Sequence, residues 1–134
     1  MQKTIPFLMF TGDNCGKTKE AVTFYTSLLP NSEIKEIKAF EPGEPGAEKG
    51  LIKHVLFSLG GTEYMAADDP QGSYSFNPSV SIAVNCETDI EIETLYQSLS
   101  KGGRMMMPLD SYGFSRKFAF FSDKYNFSWQ LILF

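Results

Sequence analysis

Few side chains in this sequence suit chemistry, and they are scattered. His54 is the only histidine, and an imidazole that titrates near neutrality is the natural general base. No carboxylate beside it in the sequence would orient it. Gln130 is a long amide in the apolar and aromatic closing stretch NFSWQLILF, residues 126–134; buried there unpaired it would cost about 1–3 kcal/mol, so it either bonds its neighbours or meets a ligand. Arg116 can hold an anionic group by a bidentate pair, although an arginine at a strand start is also an ordinary solvated rim residue. Asp68 and Asp69 invite a metal or acid/base role, but beside Pro70 they read as turn formers. Cys15 stands in a Gly- and Asn-containing loop just before a helix, where a helix N-terminus stabilises a thiolate. With no histidine near it in sequence, we read it as incidental.

The elements that must carry these groups follow from periodicity. Residues 17–29, KTKEAVTFYTSLL, place Ala21, Phe24, Tyr25, Leu28 and Leu29 on one helix face. Residues 88–101 place Ile92, Leu95, Tyr96 and Leu99 likewise, with Thr88 and Glu91 forming a capping box and Gly102-Gly103 supplying the stop. FYTSL (24–28) and LYQSL (95–99) match in kind at an offset of 71 residues, which points to an internal duplication. Strands are expected at 5–10, 32–39, 51–59 and 62–67, then at 79–85, 103–108, 115–122 and 127–133. Each half therefore reads βαβββ. The segments EPGEPGAEKG (41–50) and DDPQGSYSFNP (68–78) are polar loops, the second joining the halves. Met105-Met106-Met107 gives a strand of flexible apolar side chains suited to adaptable packing or a dimer seam.

Strand alternation then sorts the side chains by face. Val55, Phe57, Leu59, Phe121, Trp129 and Leu131 belong with the helices. Looking the other way are Ile5, Phe7, Met9, His54, Leu56, Ser58, Met65, Ala67, Ser79, Ser81, Arg116, Phe118, Phe120, Ser128, Gln130 and Ile132. A surface that mixes aromatic, methionine, hydroxyl, amide and imidazole groups suits a ligand pocket better than a dry core.

Size and composition bound the rest. At 134 residues the chain suits one globular domain, made of a module 1–70 and a module 71–134. With 43% hydrophobic and 21% charged residues it is neither disordered nor fibrous. A net charge of -4, with no run of Lys or Arg longer than two, argues against nucleic acid as partner. The apolar runs fall well short of the roughly 20 residues a membrane span needs, and the N-terminus has no secretory pattern, so a cytoplasmic location is expected. Cys15 and Cys86 read as reduced thiols, and no Cys/His spacing suggests zinc.

The segments PFLMFTG, EAVTFYTSLLPNS, KHVLFSLGGTEYMA, FNPSVSIAVNCET, LYQSLSKGGRMMMPL and DKYNFSWQL, in this order and spacing, resemble the vicinal oxygen chelate superfamily, which includes glyoxalase I, extradiol dioxygenases and bleomycin-resistance proteins. Within it they look like the PhnB-like branch, labelled a 3-demethylubiquinone-9 3-methyltransferase domain. The resemblance runs from residue 5 to 133. It implies an α+β, glyoxalase-like fold of tandem βαβββ modules forming a cupped mixed sheet, commonly completed by a second subunit into a homodimer. In the metal-using relatives, ligands come from the first and last strand of each module. Carried over by position they fall near Ile5, near Met65, at or near Ser79, and at Gln130, of which only Gln130 can ligate a divalent cation well. The expectation is a dismantled metal site, with no metal and no cofactor. The glycine segments TGDN, LGGTE and KGGR contain no G-x-G-x-x-G after a strand, so no nucleotide-binding turn supports the methyltransferase label.

The function expected first is small-molecule binding in a mostly apolar cleft, with Phe7, Met9, His54, Met65, Ser79, Arg116, Phe118 and Gln130 as ligand-binding candidates. An alternative is an enzyme acting on a small oxygenated or phosphonate-like substrate, with His54 as catalytic base, with or without a metal. A third is a structural dimer without ligand.

Overall fold

The computed structural model of the chain describes residues 2–134. Its elements run β1 (Phe7–Thr11), α1 (Thr18–Leu28), β2 (Glu33–Ala39), β3 (Ile52–Leu59), β4 (Thr62–Asp69), β5 (Ser81–Cys86), α2 (Asp89–Ser100), β6 (Arg104–Asp110), β7 (Lys117–Ser122) and β8 (Ser128–Leu133). The strands form two four-stranded sheets, ordered β1-β4-β3-β2 and β5-β8-β7-β6. In each the first strand pairs parallel with the last, β1 with β4 and β5 with β8, and the other pairings are antiparallel. The duplication legible in FYTSL and LYQSL is thus a repeated βαβββ topology. The chain divides into two compact units between Ser75 and Phe76.

In the first unit α1 lies on the face of the sheet that carries Val55 and Phe57, both fully buried. The buried stripe of α1 is Thr18, Ala21, Val22 and Tyr25. The expected stripe instead included Phe24, Leu28 and Leu29, which are only half-buried. The helix is rotated because Thr18, polar and so left off an apolar pattern, can go inside once its hydroxyl is bonded: Thr18 Oγ1 donates to Asp68 Oδ1 at 2.7 Å. Asp68 is buried, and its carboxylate also accepts from the backbone N–H of Gly16 (2.7 Å), Thr18 (3.3 Å) and Ile52 (2.9 Å). The residue before α1, Lys17, provides no side-chain cap. Asp68 takes over that task from 50 residues away, fixing the start of α1 to the ends of β3 and β4. The expectation that Asp68 and Asp69 form a turn is therefore corrected for Asp68, which lies inside β4; Asp69, the last residue of β4, does open the turn that follows, its Oδ1 accepting the Gln71 N–H at 3.0 Å and its carbonyl the Gly72 N–H at 3.4 Å.

In the second unit α2 buries Ile92, Leu95 and Leu99. Thr88 caps it by accepting the Glu91 N–H at 3.1 Å, while the Glu91 carboxylate reaches back to the Glu87 N–H at 2.7 Å, one residue beyond the usual capping-box partner. Gly102 leaves the helix at φ +79, and a Cβ at Gly103 would lie 1.9 Å from the Ser122 carbonyl oxygen, so the pair both stops α2 and lets β6 approach β7. The second buried carboxylate, Asp123, accepts from the N–H groups of Tyr125 and Phe127 and from Trp129 Nε1 at 2.9 Å. β5 begins at Ser81 rather than 79, because the Ser79 N–H donates to Asn77 Oδ1 at 2.8 Å and holds a turn there. Among the described residues no helix is long and apolar enough to cross a membrane.

Candidate functional site

The strand registers place the candidate residues in rows across the sheet faces turned away from the helices. In the first unit one row reads Phe7, Met65, Leu56, Glu36 across β1, β4, β3 and β2. The next reads Met9 and Ala67, then His54 and Lys38, with His54 following Val55 along the β3–β4 ladder beside Ala67. Each row runs from apolar groups on β1 to charge on the outer strand β2. Phe7 remains 48% exposed, unusual for a phenylalanine on a sheet.

A cavity of about 370 Å³ opens over the β1–β4 end of these rows. Its lining joins Phe7, Met9 and Ala67 from the sheet with Phe40 and Pro45 from the segment after β2, Lys53 from the start of β3, and Asp68, Asp69, Pro70 and Gln71 from the end of β4. The volume lies at the small end of the range for ligand sites, and the composition is the usual one, apolar walls with few polar groups. Lys53 does not stand free in it: its Nζ donates to Glu44 Oε2 at 2.8 Å, a bond that raises the lysine pKa and lowers that of the carboxylate. Asp69 accepts from the Tyr74 hydroxyl at 2.7 Å and from the Gln71 N–H at 3.0 Å. The Tyr74 bond, with the backbone donors behind it, holds the Asp69 carboxyl below its ordinary range. Thr11 Oγ1 donates to the Tyr74 carbonyl at 2.6 Å, so the stretch after β4 is tied back over β1 and the mouth of the cavity is built rather than loose.

His54 stands at the edge of this floor, half-buried, and its Nε2 is 3.3 Å from Glu36 Oε1. The orienting carboxylate absent from its sequence neighbourhood comes from β2. Cys15 carries a thiol whose pKa is raised, first by burial and then by the Asp68 and Asp69 charges, the opposite of a helix-activated thiolate.

The second unit repeats the layout with different chemistry. Ser81, Ser128, Ser122 and Arg104 form one row, and Ala83, Gln130, Phe120 and Met107 the next. A third holds Asn85, Ile132, Phe118 and Asp110. Gln130, half-buried, donates from Nε2 to Ser81 Oγ at 3.0 Å, which puts its amide in a polar bond across β8 and β5. Ser128 Oγ beside it is the one fully buried side-chain polar atom without a partner among the described residues. Ser79 lies before β5 and is exposed. Phe118 is buried and meets Phe114 edge-on, ring centroids 4.9 Å apart. Arg116 precedes β7 and pairs with Asp89 Oδ2 of α2 at 2.9 Å, where Lys117 also binds Asp89 and Glu93. Cys86 is buried, and desolvation pushes its thiol up to about 11.

Of the expected site residues, then, Phe7 and Met9 line the cavity, His54 and Met65 stand beside its floor, and Ser79, Arg116, Phe118 and Gln130 belong to the other unit. The expectation did not include Phe40, Pro45, Lys53, Asp68, Asp69, Pro70 and Gln71. Of these the sequence singles out Asp68 and Asp69 alone, as turn formers, and the loop residues carry no periodicity by which a sequence could assign them to a wall.

The positions at which the resemblance puts metal ligands do not make a metal site. Ile5 and Met65 offer a hard cation nothing, Ser79 is in a turn, and the Gln130 amide faces Ser81. Among the described residues no three His, Cys, Asp or Glu side chains gather as a metal site would need. The family model described as 3-demethylubiquinone-9 3-methyltransferase matches residues 2–132. The chain belongs to that family. A PhnB protein from Bacillus cereus carrying the same description is 44% identical, with 99% of this chain and 100% of that one covered and a TM-score of 0.91. Protein PA1353 from Pseudomonas aeruginosa is 27% identical over 99% and 98% of the two chains, with a TM-score of 0.83. A glyoxylase/bleomycin resistance protein/dioxygenase domain from Frankia sp. EAN1pec, 14% identical over 99% and 98%, shares the fold with a TM-score of 0.62. The PhnB-like chain thus has an α+β, glyoxalase-like fold. Among curated proteins none matches it.

Proposed function

We propose that this PhnB-like protein binds a small, largely apolar molecule in the cleft of its first unit, without a metal. The observation that carries the proposal is the cavity of about 370 Å³ lined by Phe7, Met9 and Ala67 of the sheet together with Phe40 and Pro45. An exposed phenylalanine on the floor of such a space is the kind of unfilled apolar surface that a ligand covers. The methyltransferase description of the family supplies no step to derive, because none of the glycine segments forms a nucleotide-binding turn. We take the two units to act as one domain, the protein as a homodimer, in keeping with the superfamily resemblance, and its location as cytoplasmic, in keeping with the free thiols Cys15 and Cys86. The test is a thermal-shift screen of small apolar molecules followed by Met9→Trp, which fills the cleft. Molecules that stabilise the unaltered protein should lose their effect in a folded Met9→Trp variant; an undiminished effect would place binding elsewhere.

A second reading, catalysis with His54 as base, is favoured by Glu36, which lies where a carboxylate would orient the imidazole. It requires His54→Ala and Glu36→Gln each to reduce turnover of a substrate bound in the same cleft, with the fold intact. Full turnover in His54→Ala would remove it.

A further inference from the structure

The charges around the cleft point to the class of ligand it takes, and this inference rests on the proposed binding there. Lys53 is the one cation in the lining, and it is spent on Glu44 at 2.8 Å. Asp68 is buried under its four hydrogen-bond donors and cannot turn toward a ligand. Asp69 differs from both. It is only half-buried, all its hydrogen-bond partners are neutral, namely the Tyr74 hydroxyl and the N–H groups of Gln71 and Gly72, and no Lys or Arg pairs with it among the described residues. Each carboxylate oxygen accepts more than one hydrogen bond, so Asp69 keeps room for a further donor. An uncompensated carboxylate beside apolar and aromatic walls attracts a cation and repels an anion.

We infer that the cleft is selective for a cationic amphiphile, an apolar body bearing a protonated amine, with the amine at Asp69 and the body over Phe7 and Met9. The Tyr74 hydroxyl holds the Asp69 carboxylate in the cleft lining, and Tyr74 is itself anchored through Thr11. Anionic ligands of equal size, phosphonates and carboxylates included, are disfavoured.

The probes are 4-phenylbutylamine, 4-phenylbutan-1-ol and 5-phenylpentanoate, which share one phenylbutyl body and differ in head-group charge, titrated into the full chain by calorimetry. The amine should bind about threefold to fivefold more tightly than the alcohol, the advantage of a partly exposed ion pair, and the carboxylate more weakly than either. Asp69→Asn should remove the advantage. In the unaltered protein, raising the salt concentration should weaken the amine and leave the alcohol unchanged, a readout independent of how the variant folds. A carboxylate that binds as tightly as the amine, or an amine indifferent to both salt and Asp69→Asn, would overturn the charge selectivity while leaving cleft binding intact. Failure of all three probes to bind would overturn both.

Discussion

Thr18 at the start of α1 donates its hydroxyl to Asp68 at the end of β4 across 2.7 Å, and that bond joins the helix to the strand that forms the cleft floor. Four donors converge on this one buried carboxylate. Asp68→Asn keeps the size but replaces one acceptor oxygen by a donor, leaving at least one buried N–H facing another. The variant should lose about 3 kcal/mol of stability, since hydrogen bonds to a charged group contribute about 1.5–3 kcal/mol each and their loss strands buried donors. Urea unfolding measures it; a loss below about 1 kcal/mol would mean that α1 is anchored some other way.

His54 and Glu36 form a contrast, because the pair is exposed at Glu36 and only half-buried at His54. Glu36→Gln should change stability by less than about 1 kcal/mol, the usual value of an exposed pair. A larger loss in the same unfolding experiment would show that the pair is a structural tie, weakening any catalytic role.

The acid limb of the stability curve should depend on Asp89. Its bond from Lys117, with further help from the Lys117 and Arg116 charges, holds the carboxyl below its ordinary 3.8 in the folded protein. A folded pKa below the unfolded one adds stability that is fully present above pH 3.8 and is lost as pH falls through the folded value. Asp89→Asn should therefore be less sensitive to acid than the unaltered protein in unfolding measured from pH 6 to pH 2 at roughly unit steps, and an unchanged slope would count against the Lys117–Asp89 tie.

Neither thiol should react readily. Burial raises both, Cys86 to about 11, so at pH 8 a thiol reagent should modify the native chain far more slowly than the urea-unfolded one. Rapid native labelling at Cys15 would indicate an activated thiolate after all.

Much of this architecture is legible in the residues themselves. The helical repeat of α2 ends where Gly102-Gly103 stops it, and the alternation in HVLFSL sends Val55 and Phe57 to the helix and His54 and Leu56 to the other face, as the registers show. Those signals are local, set by period and by turn chemistry. The parts that were not legible depend on residues far apart in the chain. Asp68 looks like a turn former until it is brought to the uncapped N-terminus of α1, and the missing cap at Lys17 was the only sequence clue. Glu36 reaches His54 only through the β2–β3 pairing, whose register shifts between Ile34 and Glu36 and between Lys38 and Ala39. Phe40 and Pro45 join the cavity lining from the segment after β2, which no periodicity marks.

Methionine methyl resonances report directly where a small molecule meets the protein. Met9 lines the cleft, Met65 stands one row along the same sheet, and Met105, Met106 and Met107 lie on β6 of the other unit. With methyl-labelled methionine, titration of an apolar ligand found by thermal shift should move the Met9 resonance first and furthest, Met65 less, and the β6 methionines least. Movement confined to Met105, Met106 and Met107, with Met9 unchanged at saturation, would contradict a cleft in the first unit.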